Sequence, residues 1–322
     1  MTSAQVSPSR TMRGLVFTAP GTVELQDLPQ PLAGGDAVVI DVKAAGICGS
    51  ELHGFRNLDS RTPPLVMGHE FAGISPDGRR VVVNPLLSCG NCDMCRRGQP
   101  QICRHRELLG VQRAGGFAER AVVPISSLLE IPDGLAWESA SLVEPLANAV
   151  HAWRKVGSET DIRAAVIGAG TIGLVCTLWA RRTGLTEITV VDRSTTRLAL
   201  ADRLGATAIA EQLAGEYDVI IDAVGSAQTR HMAISHLRPG GTTVWLGLAE
   251  GGAGFDGRDL VRSEKLVIGS FAYTPADFAT ALGAAGDLDL SWTTSVSVED
   301  SAQAFMSLAG GASEPVKAVI RF

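Results

Sequence analysis

The stretch "RAAVIGAGTIGLVCTLWARRTGLTEITVVD", residues 163–192, decides the fold. "AAVIG" is a continuous apolar run suited to a parallel strand buried on both faces. It leads straight into Gly168-Ala169-Gly170-Thr171-Ile172-Gly173. A helical pattern follows as far as Arg182-Thr183-Gly184, and "EITVV" is a second buried run that closes on Asp192. Gly168 permits a tight turn, Gly170 lets a pyrophosphate approach the backbone, and Gly173 lets the helix sit close on the sheet. The helix start at Thr171 and Ile172 offers backbone N–H groups to phosphates. Asp192, nineteen residues beyond Gly173, is placed to accept hydrogen bonds from an adenosine ribose. Strand, glycine turn, helix, strand and acid in this order predict a dinucleotide site. A carboxylate at 192 repels a 2′-phosphate and favours NAD over NADP. Arg193 and Arg197 are residues that can hold such a phosphate, the alternative for both being solvent-exposed helix positions.

The pattern continues downstream. "YDVIIDAVGS" (217–226), "TTVWLGL" (242–248) and "LVIGSF" (266–271) read as further strands. "SAQTRHMAISHLRPGG" (226–241) reads as a helix stopped by Pro239-Gly240-Gly241. Only "EQLAGE" separates "ATAIA" from "YDVII", so one crossover is short. The expectation is a doubly wound parallel α/β sheet. His231 and His236 on the helix are read as structural or exposed, and Cys176 in "IGLVCTLWA" as an inert core thiol.

Upstream, "SCGNCDMCRRGQPQIC" (88–103) holds four of the six cysteines, Cys89, Cys92, Cys95 and Cys103. A zinc ion needs four soft ligands at tetrahedral corners, and this spacing supplies them with no position left open. The expectation is a structural ion bracing a lobe without a core of its own; a redox pair needs only two of the four. His105 is then a surface residue.

Residues 14–46 show several short strands with Gly/Pro turns, as in a small barrel-like domain. "GICGSELH" (46–53) and "MGHEFAG" (67–73) place Cys48, His69 and Glu70, all metal-ligand types, among turn glycines. In "LVEPLANAVHAW", Pro145 suits a first helical turn and puts Glu144 at the helix mouth, where it either ligates or complements the helix N-terminus. His151, on the same helix, is read as a packing residue. Cys, His and Glu near a dinucleotide site would make a three-ligand zinc with one position open for chemistry.

Length and composition agree. The chain has 322 residues, enough for about two domains. Its 34 acidic and 28 basic residues, without a Lys/Arg block, argue against a nucleic-acid partner. No apolar run reaches the roughly 18 residues of a membrane span. The polar start "MTSAQVSPSR" is read as a frayed tail, residues 1–10, without a targeting signal. Cytoplasmic residence, where thiols stay reduced, is expected.

These motifs, with "GGFAERAVVP" (115–124), "VEPLANAVHA" (143–152) and "LRPGGTTVWLGL" (237–248), stand in the order seen in the zinc-dependent medium-chain dehydrogenase/reductase family, which the chain resembles from about residue 12 to its end. The resemblance implies a GroES-like β-rich catalytic domain, residues 1–148 and 284–322, with a structural-zinc lobe at 88–104. Into it a Rossmann NAD(P)-binding domain is inserted, residues 149–283. It implies two zinc ions per chain. Cys48 and His69 are matched to ligands of the catalytic ion, and Glu144 to the third-ligand position, as in the polyol, threonine and butanediol dehydrogenase branch. Glu70 is matched to an acid that reaches the ion transiently or through water. Ser50 is matched to the hydroxyl that touches the substrate oxygen, and His53 to the outer end of a proton relay. Glu51 stands where that branch usually has aspartate. Arg120 replaces a commoner aromatic, and the segment between Gly73 and Gly78 is short.

The implied activity is hydride transfer between NAD and a secondary alcohol of polyol, amino alcohol or cyclitol type. The implied partners are a small alcohol or carbonyl substrate and a second copy of the chain, as homodimer or homotetramer, with no nucleic acid or membrane. Two alternatives stand beside it: an NADP-dependent reductase of a biosynthetic carbonyl intermediate, and a non-catalytic zinc- and nucleotide-binding sensor. Phe55 and Phe117 either line a substrate cleft or pack in a core.

Overall fold

The computed structural model describes residues 11–57, 61–157, 159–312 and 314–322. The tail read as frayed, residues 1–10, lies outside them. The chain divides into two units, Met1–Glu144 with Leu290–Phe322, and Pro145–Asp289.

The first unit opens with a hairpin of β1 (Thr11–Ala19) and β2 (Thr22–Pro29), turning at Gly21. Next come β3 (Ala37–Gly46), α1 (Gly49–Asn57), β4 (Leu65–Val66), β5 (Glu70–Ile74) and β6 (Arg80–Val83). β4 joins β1 to complete a three-stranded sheet. In β3 the side chains alternate as a half-buried strand requires: Ile40, Val42 and Ala44 are buried, whereas Asp41 is exposed. The lobe that follows has a two-residue pair, β7 (Leu86–Leu87) with β8 (Glu107–Leu108), and one helical turn, α2 (Asp93–Arg96), with no buried residue. A segment so short and wet cannot hold itself by apolar burial. The chain continues through β9 (Arg120–Pro124), β10 (Leu128–Glu130), α3 (Trp137–Ser141) and α4 (Val143–Val156), the last entering the second unit.

The second unit runs β11 (Arg163–Ile167), α5 (Thr171–Arg182), β12 (Glu187–Val191), α6 (Thr195–Arg203), β13 (Ala208–Ala210), β14 (Tyr217–Asp222), α7 (Ala227–Ser235), β15 (Leu237–Trp245), α8 (Gly257–Arg262), β16 (Leu266–Gly269) and α9 (Pro275–Ala284). Its sheet is parallel throughout, in the order β13-β12-β11-β14-β15-β16. The order reverses between β11 and β14, where a doubly wound sheet opens its ligand crevice beyond the strand ends. Ala165, Ile167, Ile220 and Leu237 pack in its core. Residues 211–216 join β13 to β14 without a helix, as the short spacing requires.

One sequence expectation fails here. The Pro239-Gly240-Gly241 triplet does not stop α7, which ends at Ser235; it lies inside β15. The β14–β15 register shifts between Tyr217 and Val219, which face Leu237 and Thr242. Proline has no N–H for a ladder, and Gly240 takes a φ of 74°, so the triplet is a bulge in the strand rather than a helix stop.

The chain then returns to the first unit with β17 (Thr294–Ser297), α10 (Ser301–Ala309) and β18 (Ala318–Arg321). β18 pairs antiparallel with β3, so the larger sheet reads β10-β6-β5-β3-β18-β17, with β9 also on β3. Gly46 at the end of β3 faces Glu70 of β5 on one side and Val319 of β18 on the other. Three adjacent strands therefore bring Cys48, His69–Glu70 and Lys317 to one end of the sheet. Beneath them pack Phe17, Ile40, Phe71, Val81, Phe117 and Ile320. Among the described residues, no helix is long and apolar enough to cross a membrane.

Candidate active site and metal centres

Cys48 precedes α1, and its local geometry follows from Glu51. Glu51 sits three residues into the helix, and its Oε2 accepts from the Cys48 N–H at 2.9 Å, a helix-capping contact. Its Oε1 accepts from the Gly68 N–H at 2.9 Å and lies 2.9 Å from His69 Nδ1. With Nδ1 facing a carboxylate, Nε2 is the ring nitrogen available to a metal. Glu51 is completely buried. Burial pushes its pKa up, but the charge and hydrogen bond of His69, the Cys48 N–H and Arg61 together hold it below the ordinary carboxylate value. His69 shows the mirror effect: burial pulls its pKa down, and the charges of Glu51 and Cys48 lift it well above the usual imidazole value.

Ligand atoms of Cys48, His69 and Glu70 all lie within 4.8 Å of one another. Glu70 Oε2 accepts from the Lys317 ammonium. Its other oxygen, Oε1, is buried without a hydrogen-bond partner. A Cβ at Gly46 would overlap Glu70 Oε2 and come within 2.8 Å of Lys317 Cε, so glycine is what the pair's packing demands. A thiol, an imidazole nitrogen and an orphaned carboxylate oxygen in one pocket form a donor set that fits zinc.

Glu144 stands buried at the start of α4, but its carboxylate is not among the atoms within that mutual distance. The Ser50 hydroxyl donates to Cys48 Sγ at 3.4 Å. Exposed His53 follows three positions later on α1, the spacing of neighbours on one helix face. α1 is held by Phe55, whose ring meets Phe305 edge-on at 5.2 Å, and by Arg56, which donates to the Ala309 carbonyl. Phe55 and Phe117 are thus core residues.

The four lobe cysteines form the second cluster. Sγ–Sγ separations are 3.4 Å for Cys89–Cys103, 3.5 Å for Cys92–Cys95 and 3.8 Å for Cys92–Cys103. Tetrahedral zinc with bonds of about 2.3 Å has sulfur–sulfur edges of about 3.8 Å, so the cage fits the ion. None of the four is in a disulfide. N–H donors of Cys95 and Arg104 bring the Cys92 thiol down to about 6. Cys103 Sγ accepts from the Cys89 and His105 N–H groups, both at 3.3 Å. His105 itself is exposed.

In the second unit, Gly168 turns at a φ of 96°. A Cβ at Gly173 would overlap the Gly168 carbonyl oxygen, whereas one at Gly170 would meet nothing within 4 Å. The turn is closed on itself at Gly173 and open outward at Gly170, a cradle that fits a pyrophosphate above the Thr171 and Ile172 N–H groups. Asp192 is fixed beside it: Oδ2 accepts from the Ala169 N–H at 2.7 Å and Oδ1 from the Ser194 N–H at 2.8 Å. Arg193 is exposed. Arg197 is half-buried, and its Nε has no hydrogen-bond partner.

Other singled-out residues serve packing. His151 Nδ1 lies 2.7 Å from Asp277, which also holds Arg154 at 2.7 Å. Burial pushes the Cys176 thiol up to about 12. His231 and His236 each meet a backbone carbonyl through Nδ1. Arg120 pairs with Asp41 at 2.8 Å. Two buried contributors escaped the sequence reading. In the sequence Glu51 stands out only as a departure from aspartate, although a glutamate at the third helical position is a capping signal. Lys317 gave no local signal beyond a charge at the mouth of an apolar strand.

Comparisons with known proteins bear on the chain as a whole. The alcohol dehydrogenase GroES-like domain matches residues 34–133, and the zinc-binding dehydrogenase domain matches residues 171–286. L-idonate 5-dehydrogenase of Vitis vinifera is 32% identical over 286 residues, 78% of this chain and 78% of that one. D-xylulose reductase A of Aspergillus oryzae is 30% identical, covering 95% of this chain and 96% of its own. A zinc-binding dehydrogenase from Sinorhizobium meliloti 1021, solved with NADP bound, matches with a TM-score of 0.91 at 28% identity, over 97% of this chain and 100% of that one.

Proposed function

The chain belongs to the zinc-dependent medium-chain dehydrogenase family and is a zinc alcohol/polyol oxidoreductase; from that premise we propose that it oxidises a secondary hydroxyl on a polyol-type chain, with NAD as hydride acceptor and Cys48, His69 and Glu144 as ligands of the catalytic ion. The observation that carries the site is the buried trio of Cys48, His69 and Glu70, with one carboxylate oxygen lacking a partner. Glu70 is the exchangeable donor in this reading. Cys89, Cys92, Cys95 and Cys103 hold a second, structural ion.

A zinc ion held by Cys48, His69 and Glu144 would supply Lewis acidity toward an alcohol oxygen, and a nicotinamide held at the glycine turn would supply the hydride acceptor. The protein handles the proton. Ser50 Oγ accepts it from the substrate hydroxyl and gives up its own hydroxyl proton, and His53, exposed one turn further along α1, takes up that proton through intervening water and releases one to solvent. Glu51 keeps His69 and the Cys48 backbone oriented while this happens. In the reverse direction the same groups supply a proton to a carbonyl substrate.

Two features support NAD: the carboxylate of Asp192 is pinned by two N–H donors at the glycine turn, and a fixed charge there repels a 2′-phosphate. NADP use is the second reading, favoured by the unpartnered Nε of Arg197 and by the NADP in the Sinorhizobium structure.

Self-association through β16 belongs to the same proposal. That strand ends the sheet, with Leu266 55% exposed and Val261 of neighbouring α8 75% exposed. Sedimentation showing only monomer would contradict it. Cytoplasmic residence is supported by thiols arranged as a metal cage rather than as disulfides.

The test is a screen of polyols, their phosphates and sugar acids with NAD and NADP, following absorbance of the reduced nicotinamide. Cys48→Ala and Glu144→Ala should each abolish turnover while leaving the fold intact. Full activity in either variant would remove that residue from the ligand set.

A further inference from the structure

The ion pair that Lys317 makes with Glu70 of the trio moves no proton in the reaction described above, yet it is deeply buried. Lys317 and Glu70 are each 1% exposed. Lys317 Nζ donates to Glu70 Oε2 and, at 2.9 Å, to the Ile47 carbonyl. Burying an ammonium costs several kcal/mol unless negative partners surround it. Lys317 finds such partners in the Glu70 carboxylate and the Ile47 carbonyl, and so sets an ammonium in the pocket where a metal cation would bind.

The lysine divides the two oxygens of Glu70. Oε2 is taken, whereas Oε1 is buried and bare. The Ile47 carbonyl, one residue before Cys48, fixes the other side of the ammonium, so the clamp ties the residue that enters β18 to the ligand loop. It also opposes the ion electrostatically.

Resting on the metal site proposed above, we propose that Lys317 is a positioning residue for that site: it holds Glu70 by one oxygen, presents the other to the Cys48–His69 pair, and keeps the carboxylate from committing fully to the ion. Glu70 then remains a reserve donor, and a position stays available to substrate oxygen. Without Lys317 the whole carboxylate is free to pair with the ion, and the opposing charge is gone.

The test uses the full-length protein with cobalt(II) in place of zinc. Subtracting the spectrum of Cys48→Ala isolates the site at residue 48 from the four-cysteine site. Lys317→Met should weaken the visible d–d bands, as an added donor does, and slow extraction of that ion by a chelator by about tenfold. Lys317→Arg, which keeps the charge, should resemble wild type. Lys317→Met/Glu70→Gln should restore the wild-type bands and bring extraction back to the wild-type rate or faster, an outcome that a merely structural role for Lys317 does not give. Unchanged bands and rate in Lys317→Met, or a double variant that stays like Lys317→Met, would overturn the proposal. If Lys317→Met does not fold, Glu70→Gln alone decides: extraction must quicken, and an unchanged rate refutes the reserve-donor role. A wild-type protein with no cobalt spectrum dependent on Cys48 would instead bring down the metal site itself.

Discussion

Glu51 offers the sharpest test of how the site is built. Its carboxylate answers two N–H groups, the half-buried one of Cys48 and the buried one of Gly68, and faces His69 Nδ1, each at 2.9 Å. Glu51→Ala removes all three contacts at once and leaves two backbone donors without their acceptor, that of Gly68 fully buried. The buried orphaned donor costs about 1–3 kcal/mol and the half-buried one no more than that, so the loss is about 1–6 kcal/mol. At its upper end that is a large share of the roughly 5–15 kcal/mol by which a domain is ordinarily stable. Glu51→Gln keeps one acceptor oxygen but turns an NH2 toward a donor, so it should lose about 1–3 kcal/mol. The assay is urea unfolding followed by circular dichroism, run beside metal analysis of the folded protein. Both variants should also lose the ion at residue 48 more readily, because His69 is no longer oriented. A Glu51→Ala protein within about 0.5 kcal/mol of wild type, with its metal content unchanged, would refute the reasoning.

Three further outcomes follow from other parts of the fold. Gly173→Ala drives a Cβ into the Gly168 carbonyl oxygen, so calorimetric titration should show dinucleotide binding lost or weakened at least tenfold; near-normal affinity would mean that the turn is not the cofactor cradle. Cys92→Ala opens the four-thiol cage and should remove one zinc per chain and lower the unfolding temperature, with proteolysis of residues 88–106 as a second readout. Burial pushes the Asp277 pKa up, but hydrogen bonds from His151 and Thr274 hold it below its ordinary value. A depressed carboxylate stabilises fully above its unfolded pKa of about 3.9 and loses that stabilisation as pH falls through its folded value; Asp277→Asn should therefore flatten the acid limb of the stability curve, and an unaltered limb would show that the pair contributes nothing.

The glycine turn and the cysteine cage were legible because each is local. All the ligands of the cage lie within fifteen residues, and strand, turn, helix and acid follow one another in the order the chemistry needs. Cys48, His69 and Glu70 were legible as ligand types, but their meeting depends on β3 pairing with β5, which no local pattern states. Lys317 is the extreme case. It reaches Glu70 across 247 residues because β18 returns to lie against β3. The Pro-Gly-Gly triplet misled in the opposite direction. Its residue types suit both a helix stop and a strand bulge, and only the register with β14 separates them.

The account stands on two distinct metal centres in one chain, and counting them is the most direct measurement. Elemental analysis of the purified protein should give two zinc ions per chain in wild type, and one in each of Cys48→Ala and Cys92→Ala. One ion in wild type, or a count untouched by Cys48→Ala, would contradict it.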